Sequence, residues 1–339
     1  MILLFSFCFR VVNLLKAYYN IMNYLNTVII IACLNFNIKS QDAEFTQFYS
    51  NPIYLNPAFT GTNICPRISI NQRSQWTGLP SVFNTTSFSY DQNFEKIRGG
   101  LGLMILSDRL TNSIQNNKIS GIYSYEVRIS KKIALRTGFE ASFWQNKFDQ
   151  TQLTFVDMID PLRGFVLPTS NSMINNYENG LDFSAGILAY GENVFFGVSI
   201  HHLLEPEQRV FSNNSKLDRK YSLNLGYDIP VTKNNTLSDD KLVISPNIIW
   251  KKQGYNEQLN LGIYGERGPY VVGVWYRDNR SYAFLIGAKV GLIKIGYSYD
   301  INLSRLYLAS SGSHEFSIQF NFQCNNKNSI NQSLSCPSF

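Results

Sequence analysis

Apolar and polar side chains alternate along the chain between residues 67 and 322, with turns at intervals. The pattern is clearest in Tyr221–Ile229, where odd-numbered residues are apolar or aromatic and even-numbered residues are polar or glycine. Ile293–Ile301 and Phe316–Phe322 repeat it. Side chains of a strand point alternately to its two faces, so each segment predicts a strand with one apolar and one polar face. Such strands are typical of transmembrane β-barrels and also of soluble β-sandwiches or lectin-like proteins.

The lengths of the connections between the predicted strands favour the barrel. Three long connections, at 149–176, 203–219 and 302–313, follow odd-numbered strands, whereas most connections after even-numbered strands are tight turns. Bacterial outer-membrane barrels have this asymmetry, with the short turns in the periplasm, and a sandwich has no reason to sort its loops in this way. We place the strand centres at Ile70, Phe88, Leu103, Tyr123, Phe139, Ser184, Val198, Leu225, Pro246, Leu261, Val274, Leu285, Tyr297 and Ile318.

We therefore predict an all-β protein, a transmembrane antiparallel β-barrel of about 14 strands with an N-terminal plug-like segment. The barrel spans residues 67–322, the plug or strap spans 41–66, and a periplasmic tail spans 323–339. An even strand number places both mature termini in the periplasm. Pro246 removes a ladder donor from its strand, so we expect a bulge or a shortened pairing there.

Composition is consistent with a membrane barrel and excludes a nucleic-acid-binding protein. Aromatic residues make up 14% of the chain, as expected if they form girdles at two membrane interfaces. Charged residues make up only 16%, against about a quarter in typical soluble domains. The net charge of +6 is spread out, and the pairs Lys131-Lys132 and Lys251-Lys252 are isolated. We therefore expect outer-membrane lipid, and no nucleic acid, among the partners.

The first 40 residues are predicted to be an export signal rather than part of the fold. Thr27–Ala32 is a short apolar core, and cleavage before Gln41 follows a tolerable recognition site. Two alternatives stay open: the true start is Met22 rather than Met1, or Cys33 is the lipidated end of a lipoprotein. Export is expected in each case.

Three cysteines remain in the predicted mature chain: Cys65, Cys324 and Cys336. Cys324 and Cys336 flank a polar tail, so in an oxidising compartment they are candidates to close a small disulfide loop. Cys65 is a third candidate partner, and free thiols without a role are the alternative.

The most distinctive local sequence is FTQFYSNPIYLNPAFTG at residues 45–61. Two Asn-Pro dipeptides exclude a regular helix or central strand through it and predict turns. Its aromatic side chains need burial, and the barrel lumen and periplasmic mouth are the nearest surfaces. A lumenal plug is therefore predicted, with a strap on the periplasmic rim as the alternative. The candidate plug or partner-binding residues are Phe45, Phe48, Tyr54, Asn56, Pro57, Phe59 and Gly61.

No catalytic, cofactor-binding or metal-binding constellation is apparent, so we expect neither an enzyme nor a cofactor. His201 and His202 are adjacent at the end of a strand, where we expect them to point to opposite faces and not to share an ion. Ser313-His314-Glu315 would likewise be divided between the two faces of a strand. We expect rim or lumen hydrogen bonding from these residues.

The sequence resembles the PorP/SprF family of outer-membrane proteins of Bacteroidota. The resemblance rests on FTQFYSNPIYLNPAFTG, on RSQWTGLP at 73–80 and on GGLGLMILSDRL at 99–110, and it extends to SHEFSIQFNF at 313–322. It implies an outer-membrane role in type IX secretion and gliding motility. The implied partners are the secretion machinery and a secreted or gliding surface protein, which the barrel would help to export or anchor through protein–protein contacts. Alternatives are a channel for hydrophobic or small polar solutes and an outer-membrane enzyme such as a lipid hydrolase.

Overall fold

The structure is a computed structural model that describes residues 41–63, 65–79, 82–110, 113–130, 132–149, 155–160, 162–166, 175–207, 216–231, 242–278, 281–303 and 311–324. None of the helices in these ranges is long and apolar enough to cross a membrane.

Fourteen antiparallel strands form one closed barrel. Each strand pairs with its neighbours in the chain, and β1 closes the ring by pairing with β14 from Arg67 opposite Asn321 to Gln75 opposite Ser313. The strands are β1 Arg67–Gln75, β2 Phe83–Phe94, β3 Gly99–Arg109, β4 Ile114–Arg128, β5 Ile133–Asp149, β6 Asn175–Gly191, β7 Val194–His201, β8 Lys220–Tyr227, β9 Leu242–Gln253, β10 Asn256–Arg267, β11 Tyr270–Arg277, β12 Ser281–Val290, β13 Ile293–Asn302 and β14 Ser313–Asn321. Every predicted strand centre lies within its strand, so the predicted barrel is confirmed and a two-sheet sandwich is excluded.

Three further pieces of strand among the described residues are only two residues long. Ile229–Pro230 continues β8 beyond Asp228 and pairs with β9, and Ile159–Asp160 pairs with Gly164–Phe165 in the connection between β5 and β6. The strand around Pro246 differs from expectation on one side. Its register with β10 runs through without a bulge, because Pro246 lies opposite Ile263 in an unbroken ladder. On the β8 side the pairing stops at Gly226 and resumes at Ile229, which is the predicted shortened pairing.

The two faces of the barrel wall differ in polarity as the alternation predicts. Leu225, Ile295 and Ile318 point outward and are exposed, whereas Asn224 and Ser298 point inward and are buried. Because the inward positions are polar yet excluded from solvent, they must be covered by something within the lumen. The outer surface carries a continuous apolar and aromatic population that suits contact with lipid.

We expect charges on the two faces of β14 to have very different effects. Ile318→Lys would place a charge on the outward face near the middle of the strand and is expected to cost about 2–4 kcal/mol in a bilayer. Gln319→Glu would place a charge on the inward face, directly opposite Lys294 of β13, and is expected to cost much less. Urea unfolding in lipid vesicles, followed by tryptophan fluorescence, measures both; equal losses would contradict the assignment of the faces.

The two ends of the barrel can be told apart by the connections between strands. Odd-numbered strands end at the end that carries the long connections, which we call the long-loop end, and even-numbered strands end at the short-turn end. Asp42 contacts Gln253 at the end of β9 and Lys220 at the start of β8, so it lies at the long-loop end. Cys324 follows β14 and lies at the short-turn end. Placing both mature termini on one side is therefore wrong for a chain that begins at Gln41.

Cys324 is bonded to Cys65, with their Cα atoms 5.5 Å apart, so the predicted Cys324–Cys336 loop is wrong. The barrel register explains the pairing, because Arg67 of β1 lies opposite Asn321 of β14. Cys65 shortly precedes Arg67, and Cys324 shortly follows Asn321. Closure of the barrel thus brings together two cysteines that are 259 residues apart in sequence. Cys336 lies outside the described residues.

We expect mass spectrometry of the unreduced, alkylated protein to find one linked peptide pair containing Cys65 and Cys324, and an alkylated Cys336. Cys65→Ser and Cys324→Ser should each lower the free energy of unfolding by about 2–4 kcal/mol, because each opens the same cross-link. Cys336→Ser is the control and should have no such effect. A linked peptide containing Cys336 would contradict this pairing.

Candidate functional site

Residues 41–63, which we call the N-terminal segment, lie against the inward face of the barrel. Its backbone makes two short turns, a single helical turn at Pro52–Leu55 and a 3₁₀ turn at Pro57–Phe59. Each begins at the proline of an Asn-Pro pair, because proline has a preset φ and needs no hydrogen-bond partner at the first position of a helix. The side-chain Oδ1 of Asn56 accepts a hydrogen bond from the Ala58 amide at 2.8 Å and so holds the predicted turn at Pro57.

The aromatic side chains of the N-terminal segment pack against the barrel wall. Phe45, Phe48 and Phe59 are 2%, 5% and 6% exposed, which matches the expected burial, and Tyr54 is partly buried. Phe48 packs edge-on against Trp275 of β11, with ring centroids 4.8 Å apart. The neighbouring Tyr49 makes edge-on contacts with Phe195 of β7 and Tyr264 of β10, so its single ring connects two separate parts of the wall.

Glycines on β5 and β6 make room for the Asn56–Ala58 turn. Gly138 and Gly186 lie directly opposite each other in the barrel register. A Cβ atom at Gly138 would lie 2.3 Å from the Ala58 nitrogen, and one at Gly186 would lie 2.0 Å from Asn56 Oδ1. These contacts are too close for any side chain, so the two glycines form a seat for this turn.

Gly138→Val is therefore expected to displace the turn at Pro57 and to lower the free energy of unfolding by about 1–3 kcal/mol, as overpacking does. Gly121→Val on the neighbouring strand is a matched control, since a Cβ there would meet no atom within 4 Å. Limited proteolysis in detergent should cut the N-terminal segment faster in Gly138→Val than in the wild type or in Gly121→Val. Identical cleavage rates would show that the seat does not hold the segment.

Buried charges hold the segment at Thr46. Arg73 of β1 is paired with Asp300 of β13 at 2.6 Å and with Glu315 of β14 at 3.3 Å, and all three are buried. Arg277 of β11 lies 3.4 Å from Asp300. Two cations thus face two carboxylates. Thr46 lies at the centre: its hydroxyl contacts both arginines and Asp300, and its amide donates to Glu315 at 2.6 Å.

The start of the segment carries two carboxylates that pair with basic residues of the wall. Asp42 lies 2.9 Å from His202 and 3.1 Å from Lys220, and Glu44 lies 3.4 Å from Lys251. Burial alone would raise the pKa of Asp42, but the charges of His202 and Lys220 outweigh it and hold that pKa well below its usual value. Burial would lower the pKa of His202, but Asp42 and a hydrogen bond to Asp182 raise it to about 9.

The two adjacent histidines do not point to opposite faces, so that prediction is wrong. β7 ends at His201, and His202 has a positive φ of 59°, which breaks the alternation and turns its side chain toward the lumen. Both imidazoles are buried, His201 beside Glu140 and His202 between Asp42 and Asp182. Ser313, His314 and Glu315 do alternate, with Ser313 and Glu315 inward.

The predicted candidates of the N-terminal segment do not form one compact site. They are spread along the lumen, with Phe45 near the long-loop end and Gly61 near the start of β3, where its amide donates to Asp91. Sequence reasoning missed the wall residues that receive them, above all Arg73, Asp300 and Arg136. The available signal was a charged residue at a position that the alternation assigns to the inward face.

The contacts of the N-terminal segment reach every strand of the barrel. On β12 the contact is the apolar cluster that joins Phe48 to Ala283 and Leu285, and on β3 it joins Ile53 to Met104. The other wall residues that it contacts are Asn71 of β1, Ser87 of β2, Ser124 of β4, Arg136 of β5, Ile187 of β6, Val198 of β7, Ser222 of β8, Asn247 of β9, Tyr264 of β10, Trp275 of β11, Asp300 of β13 and Ser317 of β14.

Solved structures with a similar shape are bacterial barrels of low sequence identity. The toluene transporter TbuX of Ralstonia pickettii is 9% identical with a TM-score of 0.47, and the match covers 84% of this chain and 96% of that one. Omp33 of Acinetobacter baumannii is 8% identical with a TM-score of 0.43, covering 78% and 100%. A FadL homologue of Pseudomonas aeruginosa is 12% identical with a TM-score of 0.42, covering 79% and 93%.

These likenesses concern the barrel fold alone. No curated protein sequence matches the chain. The family model of the type IX secretion system membrane protein PorP/SprF matches residues 37–320, which include the N-terminal segment and nearly the whole barrel. The resemblance noted from the sequence is thus confirmed over most of the chain, and the chain belongs to the PorP/SprF family of type IX secretion system membrane proteins.

Proposed function

We propose that this outer-membrane barrel of the type IX secretion system is non-enzymatic and supports the export or surface anchoring of secreted proteins through protein–protein contacts. We further propose that its N-terminal segment is a plug. The observation that carries the proposal is that the N-terminal segment contacts all fourteen strands. These contacts include the hydrogen bond from Thr46 to the buried, ion-paired Asp300 and the ring contacts of Tyr49. A passive diffusion channel requires a continuous aqueous path, and a segment bound on all sides opposes one.

The same contacts suit a barrel whose lumen is a structural support. With the N-terminal segment bound across its interior, the barrel would offer partners its two rims rather than a pore. The alternative of a solute channel would need the N-terminal segment to move, and each of its buried polar contacts opposes that motion.

We place the long-loop end at the cell surface and the short-turn end in the periplasm, by analogy with other outer-membrane barrels. The Cys65–Cys324 disulfide and the tail after residue 324 then lie in the periplasm, where machinery of the secretion system would be met. Residues 41–44 would lie at the long-loop end, on the side where a secreted surface protein emerges. Gliding adhesins are the class of cargo that the family implies.

Affinity purification of the tagged chain from detergent-solubilised outer membranes tests the proposal. We expect type IX machinery or a secreted surface protein to co-purify, and we expect strains lacking the chain to lose secreted proteins from the surface. Re-expression of the wild-type chain should restore them. Normal secretion without the chain, together with solute uptake that depends on it, would support the channel alternative instead.

A further inference from the structure

Five buried polar atoms at the long-loop end of β4, β5 and β6 have no hydrogen-bond partner among the described residues. They are Asn116 Oδ1, Trp144 Nε1, Asn146 Nδ2, Glu178 Oε2 and Asp182 Oδ1. Nearly all buried polar groups in folded proteins bond to protein or to ordered water. Five unpartnered atoms on three adjacent strands therefore mark a place where ordered water or a bound ligand can supply the bonds.

The barrel register places these residues side by side. Asn116 lies opposite Asn146, and Asn146 lies opposite Glu178, so the three form one row across the wall. Trp144 and Asp182 belong to the next inward-facing rows of the same strands. Asn146 and Asp182 are only 3% and 1% exposed, so these unpartnered atoms are removed from bulk solvent.

Asn116 and Asn146 of this row, together with Trp144 and Asp182, line a cavity of about 80 Å³. Residues 41–43 of the N-terminal segment close one side of it. The same three residues also line a larger cavity of about 390 Å³ at the long-loop end, so the two spaces adjoin. One water needs about 10–15 Å³, so the smaller cavity holds several waters or one small ligand.

The Trp144 ring lies over Gly180, the residue opposite it on β6. A Cβ atom at Gly180 would come within 2.8 Å of the ring, so a larger residue there would displace the indole. Glycine at this position lets the indole lie over β6 while its N–H stays without a partner. A glycine opposite a lumenal tryptophan is thus a feature that positions the indole.

The hydrogen-bonding groups define the chemistry of a ligand. The indole N–H and the Asn146 amide need acceptors, whereas the oxygens of Asn116 and Asp182 need donors. A simple anion such as chloride has no hydrogen to donate to these oxygens, and an ammonium ion has no lone pair for the indole. A hydroxyl group both donates and accepts, so a molecule that carries several hydroxyls satisfies the whole set.

The cations that line the cavity already have partners. Lys118 lies 2.7 Å from Glu140, and His202 lies between Asp42 and Asp182. The carboxyl of Asp108, which also lines the cavity, accepts a hydrogen bond from Thr85 at 2.6 Å. A negatively charged ligand would therefore lack a counter-ion. We propose that this cavity binds a neutral polyhydroxylated ligand of the saccharide class. The proposal does not depend on the role in secretion, and its test in detergent can fail or succeed separately.

Isothermal titration calorimetry and tryptophan fluorescence of the purified chain in detergent test it, with D-glucose and myo-inositol as probes and glucuronate as the charged comparison. We expect saturable binding of at least one neutral probe and weaker binding of glucuronate. Trp144→Phe and Asn146→Ala should each weaken that binding about tenfold, because each removes a buried donor. Trp250→Phe is the control, since Trp250 donates to Glu257 and does not line this cavity.

Heat-modifiable electrophoretic mobility shows whether each variant keeps the barrel, and the wild-type titration stands even if one variant does not fold. No saturable binding of either neutral probe would mean that ordered water alone fills the cavity, and would overturn the proposal. Glucuronate binding as tightly as glucose would overturn the requirement for a neutral ligand. Binding that both cavity variants leave unchanged would place the ligand elsewhere and would also overturn it.

Discussion

Deleting residues 43–60 is expected to open an ion-conducting pore through a barrel that the N-terminal segment otherwise blocks. The deletion removes the aromatic rings at Phe48 and Tyr49 and the turn at Pro57, which contact the wall from several sides. Because the strand ladder closes through β1 and β14 without these residues, the barrel should stay folded and heat-modifiable. Planar-bilayer recordings should show a stable open level that the wild-type protein lacks. Partner retention in affinity purification should fall in parallel.

Deletion of residues 162–166 is a suitable control. These residues are exposed and lie in the connection between β5 and β6, away from the lumen contacts described above. Their loss should change neither conductance nor partner retention. If both deletions leave conductance at the wild-type level, the N-terminal segment is not a plug, and its role would have to be sought in docking alone.

Arg73→Met is expected to lower the free energy of unfolding by about 3–5 kcal/mol, the cost of leaving buried charges without a partner. It would leave Asp300 and Glu315 facing only Arg277, and would remove a hydrogen bond to Thr46. Adding Glu315→Gln should recover part of the loss, since one cation then faces one carboxylate again. Urea unfolding in lipid vesicles measures both variants.

Arg219→Met provides the comparison for an exposed ion pair. Arg219 lies 3.5 Å from Glu205, and both side chains are well exposed, so its loss should cost no more than about 1 kcal/mol. A similar small loss for Arg73→Met would mean that the cluster around Thr46 contributes little. Additive losses in the Arg73→Met, Glu315→Gln double variant would mean that these two charges are not coupled.

Strand number, strand positions and the polarity of each face were predictable because they depend on a local rule. Alternation has a period of two residues and can be seen within any single segment, such as Tyr221–Ile229. The turn at Pro57 was predictable for the same reason, since Asn56 bonds to a backbone group only two residues away. The outward-facing and inward-facing residues of β8, β13 and β14 followed from the same pattern.

Contacts between distant parts of the chain were not predictable in this way. Cys324 was assigned to its near neighbour Cys336, but barrel closure places it beside Cys65. His201 and His202 were assigned to opposite faces, but a single positive φ turns His202 inward to Asp42. In both cases the prediction rested on residues that are close in sequence, whereas the actual neighbour is far away in sequence.

The sequence by itself determined that this chain forms a fourteen-stranded barrel with an apolar outside, because each strand carries its own two-faced pattern. Only the tertiary structure decided how the N-terminal segment runs through the lumen, with Asp42 at the long-loop end and Gly61 near the short-turn end. Thr46 contacts Arg73, Arg277 and Asp300 only because closure of the sheet brings β1, β11 and β13 around one point. No local pattern encodes this arrangement, since the residues that contact Thr46 come from opposite ends of the chain.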